Sequence, residues 1–363
     1  MNQDIVQSAM DNLSSLLNYT APAAGAEPNT AGAGDLVFRT AYSSPFPHNR
    51  IVFGAPGTGK SHRIKEDCAR LLAAGGRYER VTFHPDYTYS QFVGSYKPVT
   101  DEKDEIRYKF VAGPFMRVLA AALANARTDT PLPHLLIVEE INRAKVAAVF
   151  GDVFQLLDRD DFGVSEYEIH ASKEIRNYLS RKLSVKPKKK LTELRIPNNM
   201  FIWASMNSAD QGVYPMDTAF KRRWDFEYLG IDTNDHLAAG TLILGKGDKA
   251  REIDWNCLRR AINERLSVDF HVNEDKLIGP FFLSRSVLAS DETGKIKDPQ
   301  HFIGAFKSKV LMYLFEDAAK QIRGKLFAGC DSSRYSTLCD AFESMGIEIF
   351  GGDFVELYNR LEG

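Results

Sequence analysis

Gly54-Ala55-Pro56-Gly57-Thr58-Gly59-Lys60-Ser61 lies between a short apolar run, residues 51–53, and a helical pattern that extends from His62 to Leu72. The order of strand, glycine loop and helix, with the spacing G-x-x-x-x-G-K-S, is typical of a loop that surrounds a phosphate chain. Glycines let the backbone curve until several N–H groups meet one anion, and the next helix directs its positive N-terminal end to the same place. We therefore expect all eight residues to bind a nucleotide, with Lys60 on the outer phosphates and the Ser61 hydroxyl on Mg²⁺.

The composition indicates an ordinary globular protein of one or two domains, because 44% of the 363 residues are hydrophobic and 26% are charged. A net charge of −2 argues against a uniformly basic nucleic-acid binder but leaves room for a local basic patch. No apolar run approaches the roughly 18 residues that span a bilayer, and no secretory signal is visible, so we expect a cytoplasmic protein. The cysteines form no C-x-x-C pair and predict neither zinc nor a disulfide framework: Cys68, Cys257, Cys330 and Cys339.

The chain is expected to divide into three parts. Residues 1–47 are expected to form an N-terminal amphipathic helix and then a flexible linker that is rich in Ala, Gly, Pro, Asn and Thr. Residues 48–230 alternate strand and helix patterns, which indicates an α/β domain with a doubly wound parallel sheet. Strong strand signals stop after about Asn234, so residues 231–363 are expected to form a smaller, mainly helical lid domain.

Two carboxylates follow a strand that is expected to lie beside the glycine loop. Leu135-Leu136-Ile137-Val138 reads as a strand buried on both faces, and it ends in Glu139 and Glu140. Ligands of open parallel sheets bind at the carboxyl ends of the strands. Glu139 is therefore expected to hold the Mg²⁺ shell and Glu140 to act as the general base or to orient water. The alternative is a pair of solvated glutamates that cap a strand.

Three further residues are candidates for the chemical step. The next buried strand runs into Asn207, whose amide is placed to detect and position an attacking water; the alternative is a turn-forming Asn. Arg222 and Arg223 end the following helical pattern and carry permanent planar charges. In a ring, one of them could reach the neighbour's γ-phosphate as an arginine finger, or both could simply stabilise a helix C-terminus.

Taken together, these motifs resemble those of the AAA+ ATPases, and more narrowly those of McrB, the motor subunit of McrBC-type modification-dependent restriction systems. The resemblance rests on Gly-Ala-Pro-Gly-Thr-Gly-Lys-Ser, Glu-Glu-Ile-Asn-Arg, Met-Asn-Ser-Ala-Asp and Asp-x-Ala-Phe-x-Arg-Arg-Trp. It covers about residues 48–329 and includes Ile278-Gly279-Pro280-Phe281-Phe282 in the second domain. The fold it implies is the AAA+ P-loop NTPase fold.

The family implies a homo-oligomeric ring, usually a hexamer, with ATP or GTP and Mg²⁺ at the subunit interfaces. It also implies a McrC-like nuclease partner and DNA that passes through the pore. Carried over by position, Lys60 and Ser61 bind phosphate and Mg²⁺, Glu140 is catalytic, Asn207 is the sensor, and Arg222 or Arg223 is the finger.

Three departures from the family pattern are visible. Glu139 stands where the family usually has Asp, and its extra methylene is expected to shift the magnesium shell and slow hydrolysis. Gln211 replaces the usual Arg after the sensor motif. Residues 1–48 do not match the family's large domain that reads modified bases, so we expect either that target choice lies in another chain or that the ring has a different target.

Residues 158–196 form a polar insert that faces the pore in related rings. Its basic residues could contact a nucleic-acid backbone or could belong to a solvated charged loop: Arg181, Lys182, Lys186, Lys188, Lys189 and Lys190. Two other functions remain open from the sequence. One is a protein-remodelling chaperone of the MoxR kind, and the other is a nucleotide-gated scaffold that hydrolyses slowly because of Glu139.

Overall fold

The structure, a computed structural model, describes residues 36–100, 104–184, 191–207 and 213–362. The expected N-terminal helix, almost all of the linker, Gln211, and the basic residues Lys186 to Lys190 lie outside these ranges.

The central sheet has five parallel strands in the order Arg77–Thr82, His134–Glu139, Met200–Asn207, Asn49–Gly54 and Asp225–Tyr228. The strand before the glycine loop, Asn49–Gly54, therefore lies between two other strands. This arrangement confirms the predicted parallel α/β fold. The strands of the described residues are β1 Asn49–Gly54, β2 Arg77–Thr82, β3 Gly94–Thr100, β4 Ile106–Ala112, β5 His134–Glu139, β6 Ile169–His170, β7 Glu193–Leu194, β8 Met200–Asn207, β9 Asp225–Tyr228, β10 Thr241–Leu244 and β11 Arg251–Asp254.

Side chains alternate between two hydrophobic cores, one on each face of the sheet. On β1, Ile51 joins the core that contains helix residues 115–123, whereas Val52 joins the core that contains Ile64 and Cys68. On β5, Leu136 and Leu135 divide between the same two cores. Because both faces are covered, these strands read as continuous apolar runs in the sequence.

The α-helices are α1 Lys60–Leu71, α2 Tyr89–Phe92, α3 Pro114–Asn125, α4 Val146–Phe150, α5 Lys173–Leu183, α6 Thr218–Lys221, α7 Trp255–Glu264, α8 Pro299–Ala305, α9 Arg323–Leu326, α10 Tyr335–Met345 and α11 Gly352–Glu362. The π-helical segments Arg265–Asp269 and Phe306–Leu311 follow α7 and α8 directly.

The polar insert is more ordered than a solvated loop. Ser172 caps α5 with a side-chain hydrogen bond to the Ile175 N–H, and α5 buries Ile175, Tyr178 and Leu179 against the sheet domain. Arg181 and Lys182 lie on the exposed side of this helix. Helix α5 of the insert is therefore packed onto the core, while its Arg181 and Lys182 side chains face solvent.

The lid domain has its own core and contains a short hairpin in addition to its helices. β10 and β11 pair as an antiparallel hairpin that buries Leu242, Leu244 and Ile253. Each strand is only four residues long, so the period-two pattern in the sequence is too short to stand out. In the part of the chain that the structure describes, no helix is long and apolar enough to cross a membrane.

Candidate nucleotide-binding site

The glycine loop adopts the curved backbone that a phosphate site requires. Gly57 and Gly59 have φ values of 77° and 91°, a left-handed region that favours glycine. α1 begins at Lys60, immediately after the second of these residues, so its N-terminal end faces the loop. A phosphate chain at this place would meet both the loop N–H groups and the positive end of the helix.

The Lys60 ammonium is held close to the loop backbone. Its Nζ donates hydrogen bonds to the carbonyls of Gly54 and Ala55, each over 2.9 Å, and the residue is only 8% exposed. Thr58 Oγ1 donates to the same Ala55 carbonyl over 2.9 Å. These contacts keep the lysine at the loop, where an incoming phosphate can compete for it as a stronger, charged acceptor.

Ser61 and Glu139, the two predicted Mg²⁺ residues, lie together. Ser61 Oγ donates to Oε2 of Glu139 over 3.2 Å, and Ser205 Oγ on β8 donates to the same oxygen. Arg80 on β2 lies 3.3 Å from the other carboxylate oxygen. A hydroxyl and one carboxylate are the donor set that Mg²⁺ uses when phosphates and water complete its octahedron, so these residues fit the ion.

Glu140 occupies a strained backbone position. Its φ and ψ are 55° and 48°, a left-handed conformation that is uncommon for a residue other than glycine. Its Oε1 accepts a 2.7 Å hydrogen bond from Asn207 Nδ2, and its backbone N–H donates to Ser205 Oγ. Such strain often marks a functional site, and here it turns the carboxylate toward the amide at the end of the next strand.

Arg222 and Arg223 lie at the opposite end of the sheet from the glycine loop. The Arg223 carbonyl accepts a hydrogen bond from Asn49, the first residue of β1, whereas the loop begins at Gly54. Five residues of β1 separate the two places, or about 16 Å at 3.3 Å per residue. The arginines are thus kept away from the loop of their own chain.

The two arginines have different environments. Arg223 is 8% exposed, pairs with Asp158 over 2.6 Å, and stacks its guanidinium over the Phe154 ring. The Arg222 side chain is 65% exposed and stands 3.9 Å from the same carboxylate. Only Arg222 presents its charge to solvent, where a neighbouring molecule could use it.

Three residues that contact the site could not be predicted from the sequence. Ser205 and Arg80 give no signal in the sequence, because nothing in a strand pattern shows which polar side chain faces a carboxylate on the neighbouring strand. Arg285 of the lid lies with Nη2 3.3 Å from Nε2 of His62, one residue after Ser61. Its position 223 residues further along the chain gives no local signal.

Fold and site together define an AAA+ P-loop ATPase, and a family model described as "AAA domain (dynein-related subfamily)" matches residues 49–224. The chain belongs to the McrB-like family of these ATPases. It is 42% identical over 297 residues to the "Type II restriction enzyme BsuMI component YdiS" of Bacillus subtilis (strain 168), a match that covers 76% of this chain and 80% of that protein.

A second relative is the "Type IV methyl-directed restriction enzyme EcoKMcrB subunit" of Escherichia coli (strain K12). It is 29% identical over 196 residues, which cover 51% of this chain and 36% of that subunit. The match to this relative therefore concerns about a third of its length.

Proposed function

We propose that this chain is the nucleoside-triphosphate-hydrolysing motor of a prokaryotic restriction system. The observation that carries the proposal is the convergence of Lys60, Glu139, Glu140 and Asn207 at one edge of the sheet. Both relatives, a restriction enzyme component and a restriction enzyme subunit, support the biological setting.

In the proposed reaction, the glycine loop and Lys60 bind the phosphates of ATP or GTP. Mg²⁺, held through Ser61 and Glu139, neutralises charge on the phosphates when it is bound. Glu140 accepts a proton from the attacking water or orients it, and Asn207 fixes the direction of the Glu140 carboxylate. Arg222 is the arginine that contacts the γ-phosphate, whereas Arg223 anchors the segment that carries it.

The proposal includes a ring. Because the segment that carries Arg222 lies at the far end of β1 from the loop of its own chain, we expect an arginine finger to come from a neighbour. Head-to-tail contacts that repeat around an axis close into a ring, and we propose a hexamer. In this ring, nucleotide turnover drives DNA through the pore, with exposed cations such as Arg181 and Lys182 contacting phosphates, for a partner nuclease of the McrC kind in the cytoplasm.

The test is a hydrolysis assay with Mg²⁺-ATP and with Mg²⁺-GTP, each with and without double-stranded DNA. We expect one nucleotide to be hydrolysed and its turnover to rise with DNA. Lys60→Ala is the matched control, because it removes the loop cation and should abolish nucleotide binding. Absence of hydrolysis of both nucleotides would contradict the enzymatic proposal, and turnover that is indifferent to DNA would contradict the DNA motor.

A further inference from the structure

A turn of the lid domain lies directly on the glycine loop. Gly279 N donates to the Pro56 carbonyl and Phe281 N donates to the Gly57 carbonyl, each over 2.8 Å. The turn continues as a short 3₁₀ segment, Pro280–Phe282. Two carbonyls of the loop are therefore fixed by main-chain hydrogen bonds from a different domain.

The contact is too close for side chains on either backbone. A Cβ on Gly279 would lie 2.4 Å from the Gly57 carbonyl carbon, and a Cβ on Gly57 would lie 2.4 Å from Phe282 N. Both distances are shorter than van der Waals contact allows. Glycine is thus required at position 279 because the two backbone segments approach so closely. At position 57 it is required both by this approach and by the φ of 77°.

These hydrogen bonds determine the direction of the neighbouring N–H groups. In a trans peptide, the carbonyl of one residue and the N–H of the next point in opposite directions. Since the Pro56 and Gly57 carbonyls point to the lid turn, the Gly57 and Thr58 N–H groups point away from it, into the concave side of the loop. Within the described residues, neither N–H donates to a protein acceptor.

One face of α7 holds the turn in place. Asn263 bonds Ile278 in both directions: its Oδ1 accepts from the Ile278 N–H over 2.8 Å, and its Nδ2 donates to the Ile278 carbonyl over 2.9 Å. Arg259 donates to the same carbonyl over 3.2 Å, and Trp255 Nε1 donates to the Pro280 carbonyl over 3.0 Å. Spacing of four residues places these three side chains on one face of the helix.

We propose that Asn263, supported by Arg259 and Trp255, is a positioning residue that aims the Gly57 and Thr58 N–H groups at the nucleotide phosphates through the Gly279 turn. The inference rests on the proposed function, because it assumes that the loop binds a triphosphate. It adds that the lid sets the affinity of the loop for phosphate rather than only covering the base.

The test compares two buried asparagines of α7. Asn263→Ala loses the bonds to Ile278, whereas Asn256→Ala is the matched control: Asn256 is 8% exposed against 7% for Asn263, and it donates to the Asp235 and Ala238 carbonyls instead of to Ile278. Binding of Mg²⁺-ATP, Mg²⁺-GTP and Mg²⁺-tripolyphosphate is measured by titration calorimetry at a temperature where circular dichroism shows both variants folded. Asn263→Ser and Asn256→Ser form a second matched pair that shortens the side chain and keeps a small polar group at each position, for use if the alanine variants do not fold.

We expect Asn263→Ala to weaken binding of the preferred nucleotide and of tripolyphosphate by the same factor, about tenfold, the size of one to two hydrogen bonds. The Asn256 control should bind both like the wild type. Equal affinities for the two variants would overturn the inference, and so would a loss confined to the nucleotide, since that would place the effect at the base. If the wild-type chain binds neither nucleotide nor tripolyphosphate, the proposed function fails as well.

Discussion

The side-chain amide of Asn207 donates a 2.7 Å hydrogen bond to Oε1 of Glu140 and so connects the ends of two adjacent strands, β8 and β5. Glu140 reaches this position with a left-handed backbone, and Ser205 supports its N–H. The amide donor fixes one carboxylate oxygen of Glu140, and Nε of Arg143 lies 3.5 Å from the other, Oε2. This hydrogen-bonded pair is well placed to orient an attacking water molecule.

Glu140→Gln is expected to separate binding from hydrolysis. Glutamine keeps the size of the side chain and its contact with Asn207, but it cannot accept a proton. Nucleotide binding and assembly should therefore persist, while turnover falls by at least the roughly 10²–10⁴ of a positioned acid–base group. Single-turnover kinetics and calorimetry check this. If Glu139→Gln abolishes turnover and Glu140→Gln does not, the two carboxylates have the opposite roles.

The two arginines are expected to respond differently to truncation. Arg222→Ala removes an exposed charge, so it should lower turnover with little change in the denaturation midpoint. Arg223→Ala leaves the Asp158 carboxylate without its close partner and should cost about 3 kcal/mol of stability. Chemical denaturation and steady-state kinetics on the same preparations distinguish them. A stable Arg223→Ala protein together with a fully active Arg222→Ala protein would contradict the assignment.

His48 is expected to make the protein sensitive to acid. Burial, with the nearby Arg159 charge, lowers the pKa of His48 to about 4, below its ordinary value of 6.5. A pKa depressed by folding contributes stability above pH 6.5 that is lost as the pH falls towards 4, by on the order of 2–3 kcal/mol. His48→Gln should flatten the dependence of the unfolding free energy on pH in this window.

His134 also makes the unfolding free energy depend on pH, so replacing His48 alone should not remove the dependence completely. Its pKa is also lowered to about 4, chiefly by burial, so it adds a loss of the same sign over the same range. The double variant His48→Gln/His134→Gln should therefore show less pH dependence than either single variant. An unchanged slope between pH 6.5 and 4 in the double variant would show that other groups control the acid transition.

The glycine loop, the parallel sheet and the ends of β5 and β8 could be predicted because each leaves a local pattern. Glycine spacing shows the loop, and strands buried on both faces appear as continuous apolar runs. The proximity of Glu140 and Asn207 could be predicted because the carboxyl ends of parallel strands lie at the same edge of a sheet.

Other features have no such pattern. The β3–β4 hairpin was not predicted: most of its residues are exposed on both faces, so no apolar alternation appears, and Pro98 argues against a strand. Helix α4 ends at Phe150, although apolar residues continue at helical spacing to Leu157, because Gly151, at φ 53°, starts a 3₁₀ segment. The choice of Arg222 rather than Arg223 as the candidate finger depends on which side chain is exposed. The sequence does not show this for two adjacent arginines.

The most direct test of the shared active site mixes two inactive proteins. Lys60→Ala subunits keep Arg222, and Arg222→Ala subunits keep Lys60, so each should be inactive alone. In an equal mixture, about a quarter of head-to-tail interfaces join an intact loop to an intact arginine, and we expect activity to return towards that fraction of wild type. If native mass spectrometry shows mixed rings and every mixture stays inactive, Arg222 does not act on the neighbouring subunit and the proposed mechanism is wrong.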